Sequence, residues 1–405
     1  MITLPELLSP AGDLEKLQVA IAYGADAVYL SGTSFGLRAK AKNFSSDQLA
    51  YAISYAHQKN VKAYITANIF AHNADISQMT GYFASLAEMG ADAFIISDPG
   101  VMQLAKKEAP GVEIHISTQA NVTNYASAQF WQDMGASRIV LARELSLQEI
   151  AEIKAKTTIP LEGFVHGAMC MSYSGRCMLS RYMTGRDANL GACAHPCRYQ
   201  YRLYAEDQTR PGSFMPVLED EHGADIFGAE DLCMVQHIPD LINAGLDSFK
   251  IEGRMKTSFY VALATRTYRQ AIDNFTSNTG QVVSDTNHLD MLKMASHRPF
   301  STGFYFGKPN TDFTDSAYMR THDFVGIVKE YNYDNKSVII EQRNAFSEND
   351  LLTFIQPSGN DFTIPAANML NEKGIKISRA PHAKQTVVME VLQPVEEMTV
   401  ICRKI

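Results

Sequence analysis

One unit recurs through the first two thirds of the chain. A helical stretch with apolar residues at three- and four-residue spacing ends on a glycine, and a short apolar run follows at once. Copies stand at Gly24 in GADAVYL, Gly90 in GADAFII, Gly135 in GASRIVL and Gly245 in GLDSFKI. Glycine just past a helix end takes the left-handed conformation without steric cost. The runs that follow show little polar alternation, as parallel strands covered on both faces do. Eight candidate strands result: ELLSP near Glu6, AVYLS near Val28, KAYITAN near Tyr64, AFIISD near Phe94, EIHISTQ near His115, RIVLARE near Val140, PLEGFV near Phe164 and SFKIEGR near Lys250. Helical stretches such as Asp13–Tyr23, Asp47–Lys59 and Leu147–Lys156 lie between them. Eight alternations over about 250 residues are the count of an α/β fold closed into a (β/α)8 TIM-like barrel. A doubly wound open sheet competes, but the strand count closes at eight and no GxGxxG follows any strand.

The pattern changes after this. FVGIVKEYN, SVIIEQRN, DLLTFIQ, DFTIPA, GIKIS, QTVVMEVL and MTVICRK are β-type runs separated by turn residues. The chain therefore divides into a barrel over 1–273, a connector over 274–318 and a small C-terminal antiparallel β-barrel over 319–405, with Cys402 an inert strand residue.

In such a barrel, polar residues at strand C-termini face the site-bearing mouth. The candidates are Ser9, Asn68, Asp98, Gln119, Asn121, Arg143, Glu144, Glu162, His166, Lys250, Glu252 and Arg254. Glu162 and Glu252 fall on the last two strands, adjacent in a closed barrel, and a carboxylate pair there suits acid–base chemistry. A salt bridge to Lys250, Arg143 or Arg254 is the competing use. His166 stands four residues before Cys170, which raises a Cys–His nucleophile. A cysteine that ligates metal cannot also attack, and neither GxSxG nor HExxH occurs.

The seventh strand leads into a segment that concentrates chemistry. Of six cysteines in the chain, Cys170, Cys177, Cys193 and Cys197 fall here and Cys233 follows in AEDLCM, with gaps of six, fifteen, three and thirty-five residues. Short gaps keep sulfurs on one loop, and longer ones let the chain return to complete a shell of thiolates around zinc or an iron–sulfur cluster. Free buried thiols are the plainer alternative. The opening MITLPELLSPAGD has no basic leader, and no window approaches eighteen apolar residues. A cytoplasmic protein without a membrane span is expected, and in a reducing compartment clustered cysteines bind metal or react. The 405 residues carry a formal net charge of −8, so any RNA contact requires a local patch. The segment supplies one: Arg176, Arg181, Arg186, Arg198 and Arg202 stand against the single acid Asp187, interleaved with Tyr173, Tyr182, Tyr199 and Tyr201. Arginine with tyrosine suits phosphate pairing and base stacking on an unstacked RNA loop. It also suits a small polycarboxylate or a plain solvated face.

The stretch Glu162–Ser180, as ExFxHGAxCxxxSGxCxxS, resembles the signature of the U32 peptidase family. GRDANLGACAHPCRYQY, DLCM, KIEGR, HRPFSTGFY, FGLRA and the opening ELLSPAGDLEKLQVAIAYGADAVYL resemble the motifs that accompany it, and the likeness covers essentially the whole chain. The family is named for collagenase-like proteolysis, so a protease or other hydrolase is one implied activity. Several members are instead oxygen-independent hydroxylation proteins with a 4Fe-4S cluster, acting on tRNA wobble uridine, ribosomal RNA or a quinone precursor. A barrel plus one small β-module fits the tRNA branch, since quinone-pathway members lack the module and the ribosomal RNA member is much longer. The resemblance implies cluster ligands at Cys170, Cys177, Cys193 and Cys233, with Cys197 spare. It also implies prephenate or a similar small carboxylate as cosubstrate, for which Arg143, Lys250, Arg254 or the segment's arginines are the candidate binders. Glu162, His166 and Glu252 become the catalytic candidates, and Arg176, Arg181, Arg186, Arg198 and Tyr199 the contacts to a tRNA anticodon loop. Assembly with a second copy or a paralogue is a further expectation.

Overall fold

The computed structural model describes residues 4–36, 43–169, 179–184, 186, 193–194, 196, 203–206, 214–217, 230–277, 286–307 and 318–405. Seven strands come first: β1 (Glu6–Pro10), β2 (Ala27–Leu30), β3 (Lys62–Ala67), β4 (Ala93–Ile96), β5 (Glu113–Ile116), β6 (Arg138–Val140) and β7 (Leu161–Ala168). A hairpin of β8 (Leu203–Glu206) and β9 (Phe214–Val217) intervenes before β10 (Asp231–Cys233) and β11 (Ser248–Ile251). Each of β1 to β7 pairs in parallel with the next, and β11 pairs in parallel with both β1 and β7. Eight parallel strands therefore close on themselves, and an open doubly wound sheet is excluded. Gly24, Gly90, Gly135 and Gly245, at the helix-to-strand turns, have φ of 97°, 91°, 90° and 90°. That left-handed backbone is why glycine recurs there. Capping boxes at Ser45/Gln48 and Ser146/Glu149 start two of the outer helices.

Leu8, Ala27, Tyr29, Tyr64, Ala93 and Ile95 fill the barrel's inside, and a much larger apolar cluster lies between strands and helices. One irregularity sets the site. Lys250 registers with Phe164 but Ile251 registers with His166, so β7 carries an extra residue, Val165, against β11. A bulge of this kind reverses the in–out alternation beyond it.

β10 runs antiparallel along the upper end of β7, with Cys233 opposite His166, and carries β12 (Phe300–Ser301) on its far edge. Cys233, which follows the cysteine-rich segment in sequence, is not on one of the eight barrel strands or their helices. It lies instead on this added strand, and the helix Ile238–Asn243 that follows leads into β11. The HRPFSTGFYF run clasps the same strands from outside. The Tyr305 hydroxyl donates to the Phe164 carbonyl at 2.7 Å, and His297 stacks on Phe300 at 4.4 Å.

The C-terminal module is a seven-stranded antiparallel sheet around its own core. Its strand order is Phe362–Pro365, Leu351–Ile355, Val400–Lys404, His322–Asn332, Ser337–Gln342, Thr386–Glu390, Leu370–Asn371. It docks on the barrel's first helix, Leu14–Ala22, and on the helix Ser258–Ser277. The Tyr23 hydroxyl donates to Ile355 O at 2.6 Å and accepts from Val400 N at 3.0 Å. Arg266 grips the Asp361 carboxylate with two bonds of 2.6 Å, and Phe259 stacks on Phe324 at 5.5 Å. Cys402 is fully buried on the module's Val400–Lys404 strand.

Candidate active site at the barrel mouth

The C-terminal ends of the strands bring together part of the predicted set. Arg143, three residues past β6, donates to the Ala168 carbonyl at 2.6 Å and to Glu252 Oε2 at 3.2 Å. Its guanidinium lies 3.7 Å from the centroid of the inward-facing Phe164 ring. Arg254, 6% exposed, donates to Thr66 Oγ1 at 3.1 Å. Gly12 lets the β1 loop reach it: a Cβ there would sit 2.0 Å from the Arg254 carbonyl oxygen. A fixed carboxylate, two guanidiniums and an apolar ring make a site for an anionic ligand with one acid–base group beside it.

Above the inward-facing Tyr29, Tyr64, Ile95 and His115, the next inward position on each strand is a hydroxyl: Ser31, Thr66, Ser97 and Ser117, all buried. The sequence reading passed over this ring. Strand alternation carried two residues past each apolar run would have found it. Asn68 and Gln119 stand on its rim, as expected. Two other mouth candidates do not: Asp98 caps the helix Pro99–Glu108 by accepting from Val101 N, and Ser9 turns outward to Thr265 at 2.9 Å.

Glu162 and Lys250 are not mouth residues. Glu162, second on the eight-residue β7, registers with Ser248 at the start of β11 and lies in the barrel floor. Its carboxylate accepts from Lys250 Nζ at 2.8 Å and Arg138 Nη1 at 3.1 Å, while Arg138 also binds Glu6 at 2.5 Å. Tyr64 donates to Glu6 at 2.7 Å, and Lys250 lies 4.6 Å from the Tyr29 ring centroid. Burial alone would raise the Glu162 pKa, but Lys250 and Arg138 outweigh it and bring it down to about 2. This balanced network is a permanently charged structural pair, the salt-bridge use that competed with catalysis for Glu162.

His166 is likewise displaced. Past the Val165 bulge it follows Ile251 outward, so its ring stacks behind the barrel wall on Tyr260 and Tyr268, each at 5.5 Å. Burial outweighs Asp231 and lowers its pKa to about 4, leaving a neutral ring that is 2% exposed. Phe300 closes the same pocket at 5.7 Å.

Of the predicted cluster ligands, Cys193 and Cys233 fall among the described residues. Cys233 is buried at the mouth pole, on the strand paired with the end of β7 and so beside the chain that leads to Cys170. Ala194 N donates to Ser180 Oγ at 2.9 Å, which ties Cys193 to the helix Leu179–Thr184. That helix begins two residues after Cys177. A donor set made of thiols alone suits iron or zinc, so the two described ligands fit such a group. Cys170 and Cys177 themselves lie outside the described residues, as do Cys197, Arg176, Arg198, Tyr199 and the side chain of Arg181. Arg186 is half-buried and its Nη2 donates to Cys193 O at 3.4 Å.

Two family models match the chain: peptidase family U32 over residues 12–315 and the peptidase family U32 C-terminal domain over residues 320–401. The tRNA hydroxylation protein P1 of Bacillus subtilis is 39% identical across 95% of this chain and 91% of its own. The tRNA hydroxylation protein P of Escherichia coli is 36% identical across 97% of this chain and 95% of its own. A 23S rRNA 5-hydroxycytidine synthase of Escherichia coli is 38% identical over 68% of this chain and 40% of its own.

Proposed function

The chain belongs to peptidase family U32, and from that premise we propose that it is an RNA-modifying hydroxylase whose substrate is the wobble uridine of tRNA. The observation that carries this is similarity at 36–39% identity, over nearly the whole chain, to proteins named for tRNA hydroxylation. The similarity to an enzyme named for making 5-hydroxycytidine supports hydroxylation of a pyrimidine ring.

Cys170, Cys177, Cys193 and Cys233 hold a 4Fe-4S cluster, which when bound supplies one-electron chemistry without molecular oxygen. Arg143 and Arg254 take the carboxylates of a small cosubstrate such as prephenate, while Lys250 stays committed to Glu162. Glu252, held by Arg143, is the group placed to give or take a proton beside the bound ligand. The arginine- and tyrosine-rich segment, with Arg176, Arg181, Arg186, Arg198 and Tyr199, receives the anticodon loop. The peptidase reading needs His166 as the base for a Cys170 nucleophile, and its ring is packed among Tyr260, Tyr268 and Phe300.

The test is mass spectrometry of tRNA nucleosides from cells with and without the gene. Loss of 5-hydroxyuridine derivatives, restored by the gene, is expected; unchanged levels in a strain without a parallel pathway reject the reading. Anaerobic purification with iron and sulfide analysis tests the cluster separately, and an iron-free protein removes it.

A further inference from the structure

The upper layer of the barrel has two chemically unlike walls. One wall, from β6, β7 and β11, presents Arg143 and Glu252 beside the chain that carries the cysteines. The other, from β3 and β5, presents side-chain amides. Asn68 donates to Ser117 Oγ at 3.2 Å, Ser97 donates to the Asn68 backbone carbonyl at 3.2 Å, and Gln119 N donates to Ser117 Oγ at 3.4 Å. Asn121 sits in the left-handed region at φ 52°, with its amide nitrogen donating to Gln119 O at 3.3 Å. These bonds fix the wall but leave its acceptors unused. Asn68 Oδ1, Gln119 Oε1 and Asn121 Oδ1 are buried and have no hydrogen-bond partner among the described residues. Asn68 is 9% exposed and Gln119 3%. Arg143 Nε on the facing wall is a buried donor in the same condition.

A buried carbonyl without a donor costs about 1–3 kcal/mol, and native folds hold few of them. Three at one mouth mark a place where a ligand brings hydroxyl or N–H groups, while Arg143 Nε asks for an anion opposite. We propose that Asn68, Gln119 and Asn121 form the specificity wall for the hydroxyl of a small hydroxy-carboxylate, whose carboxylate is held by Arg143 across the mouth. This rests on the reading above that a small carboxylate cosubstrate occupies the mouth. A uracil base swung into the mouth fits less well. It brings no anionic group to the arginine.

Isothermal titration of the anaerobically purified full-length protein tests this with two probes. Prephenate carries a ring hydroxyl and two carboxylates; phenylpyruvate keeps one carboxylate and lacks the hydroxyl. Gln119→Ala and Asn68→Ser should each weaken prephenate binding about tenfold and leave phenylpyruvate binding unchanged, whereas Arg143→Gln weakens both. Melting temperatures identify any variant that fails to fold, and Gln119→Met then serves as the substitute because it keeps the length of the side chain and removes the amide acceptor. Unchanged prephenate binding in the folded amide variants, or equal losses for both probes, overturns the specificity wall and leaves the cosubstrate reading intact. No prephenate binding by the unaltered protein overturns both.

Discussion

Glu162 and Glu252 are the same side chain on neighbouring strands, and their surroundings give them opposite work. Glu162 is buried between Lys250 and Arg138, whereas Glu252 is held at the rim by Arg143. Glu162→Gln leaves the buried Lys250 without its counter-charge, while Arg138 keeps Glu6. A stability loss of about 3–5 kcal/mol is expected in urea unfolding, with activity following the folded fraction. The pH dependence has a definite sign. The folded pKa of Glu162 is lowered to about 2, whereas an unfolded glutamate titrates near about 4.3. Its contribution is complete above about pH 4.3 and fades as pH falls toward 2. Urea midpoints across that range should decline in the unaltered protein and run flatter in Glu162→Gln; identical slopes would contradict the assignment. The sequence held the right residue types here, but PLEGFV fixed no strand end. β7 runs on to Ala168, so a glutamate at its second position belongs to the floor. His166 was misplaced for a related reason: the Val165 bulge leaves no mark in composition or periodicity.

Among the elements, the glycines separate what sequence periodicity reveals from what it cannot. Gly24, Gly90, Gly135 and Gly245 announce their helix ends through repetition, and that repetition made eight strands legible. Gly12 and Gly167 do something that no local pattern encodes: each lets the loop after β11 lie against another segment. A Cβ at Gly167, whose φ is 107°, would meet Glu252 O at 2.6 Å. Gly12→Ala drives a methyl into the Arg254 carbonyl. A cost of about 1–3 kcal/mol is expected from this overpacking, together with weaker prephenate binding as Arg254 shifts. Calorimetry and titration on the one variant check both. A stable variant with normal binding would mean that the two loops are not jointly set.

At the scale of the molecule, barrel and module share a core. Ile327, Ile355, Val400 and Cys402 pack into the cluster that surrounds the barrel. Arg266 and Tyr23 extend that seam with the bonds to Asp361, Ile355 and Val400. One cooperative unfolding transition is expected, and Arg266→Ala should cost about 3–5 kcal/mol by leaving Asp361 unpaired in a partly buried seam. Two resolved transitions in the unaltered protein would show the units to be independent. The turn-separated strands after Phe324 gave the module's existence, but its docking face depends on residues more than 300 positions apart, as Tyr23 and Ile355 are. Among the described residues no helix is long and apolar enough to cross a membrane.

The proposed chemistry belongs to the upper pole, with Glu252 acting there and Glu162 serving the floor. The most direct measurement is tRNA nucleoside mass spectrometry in a null strain complemented with Glu252→Gln, an isosteric change that keeps a hydrogen bond to Arg143 but removes the charge. The expected result is normal protein level and melting temperature with at least a tenfold loss of 5-hydroxyuridine derivatives, the scale of a lost acid–base group. Full modification by that variant would contradict the claim.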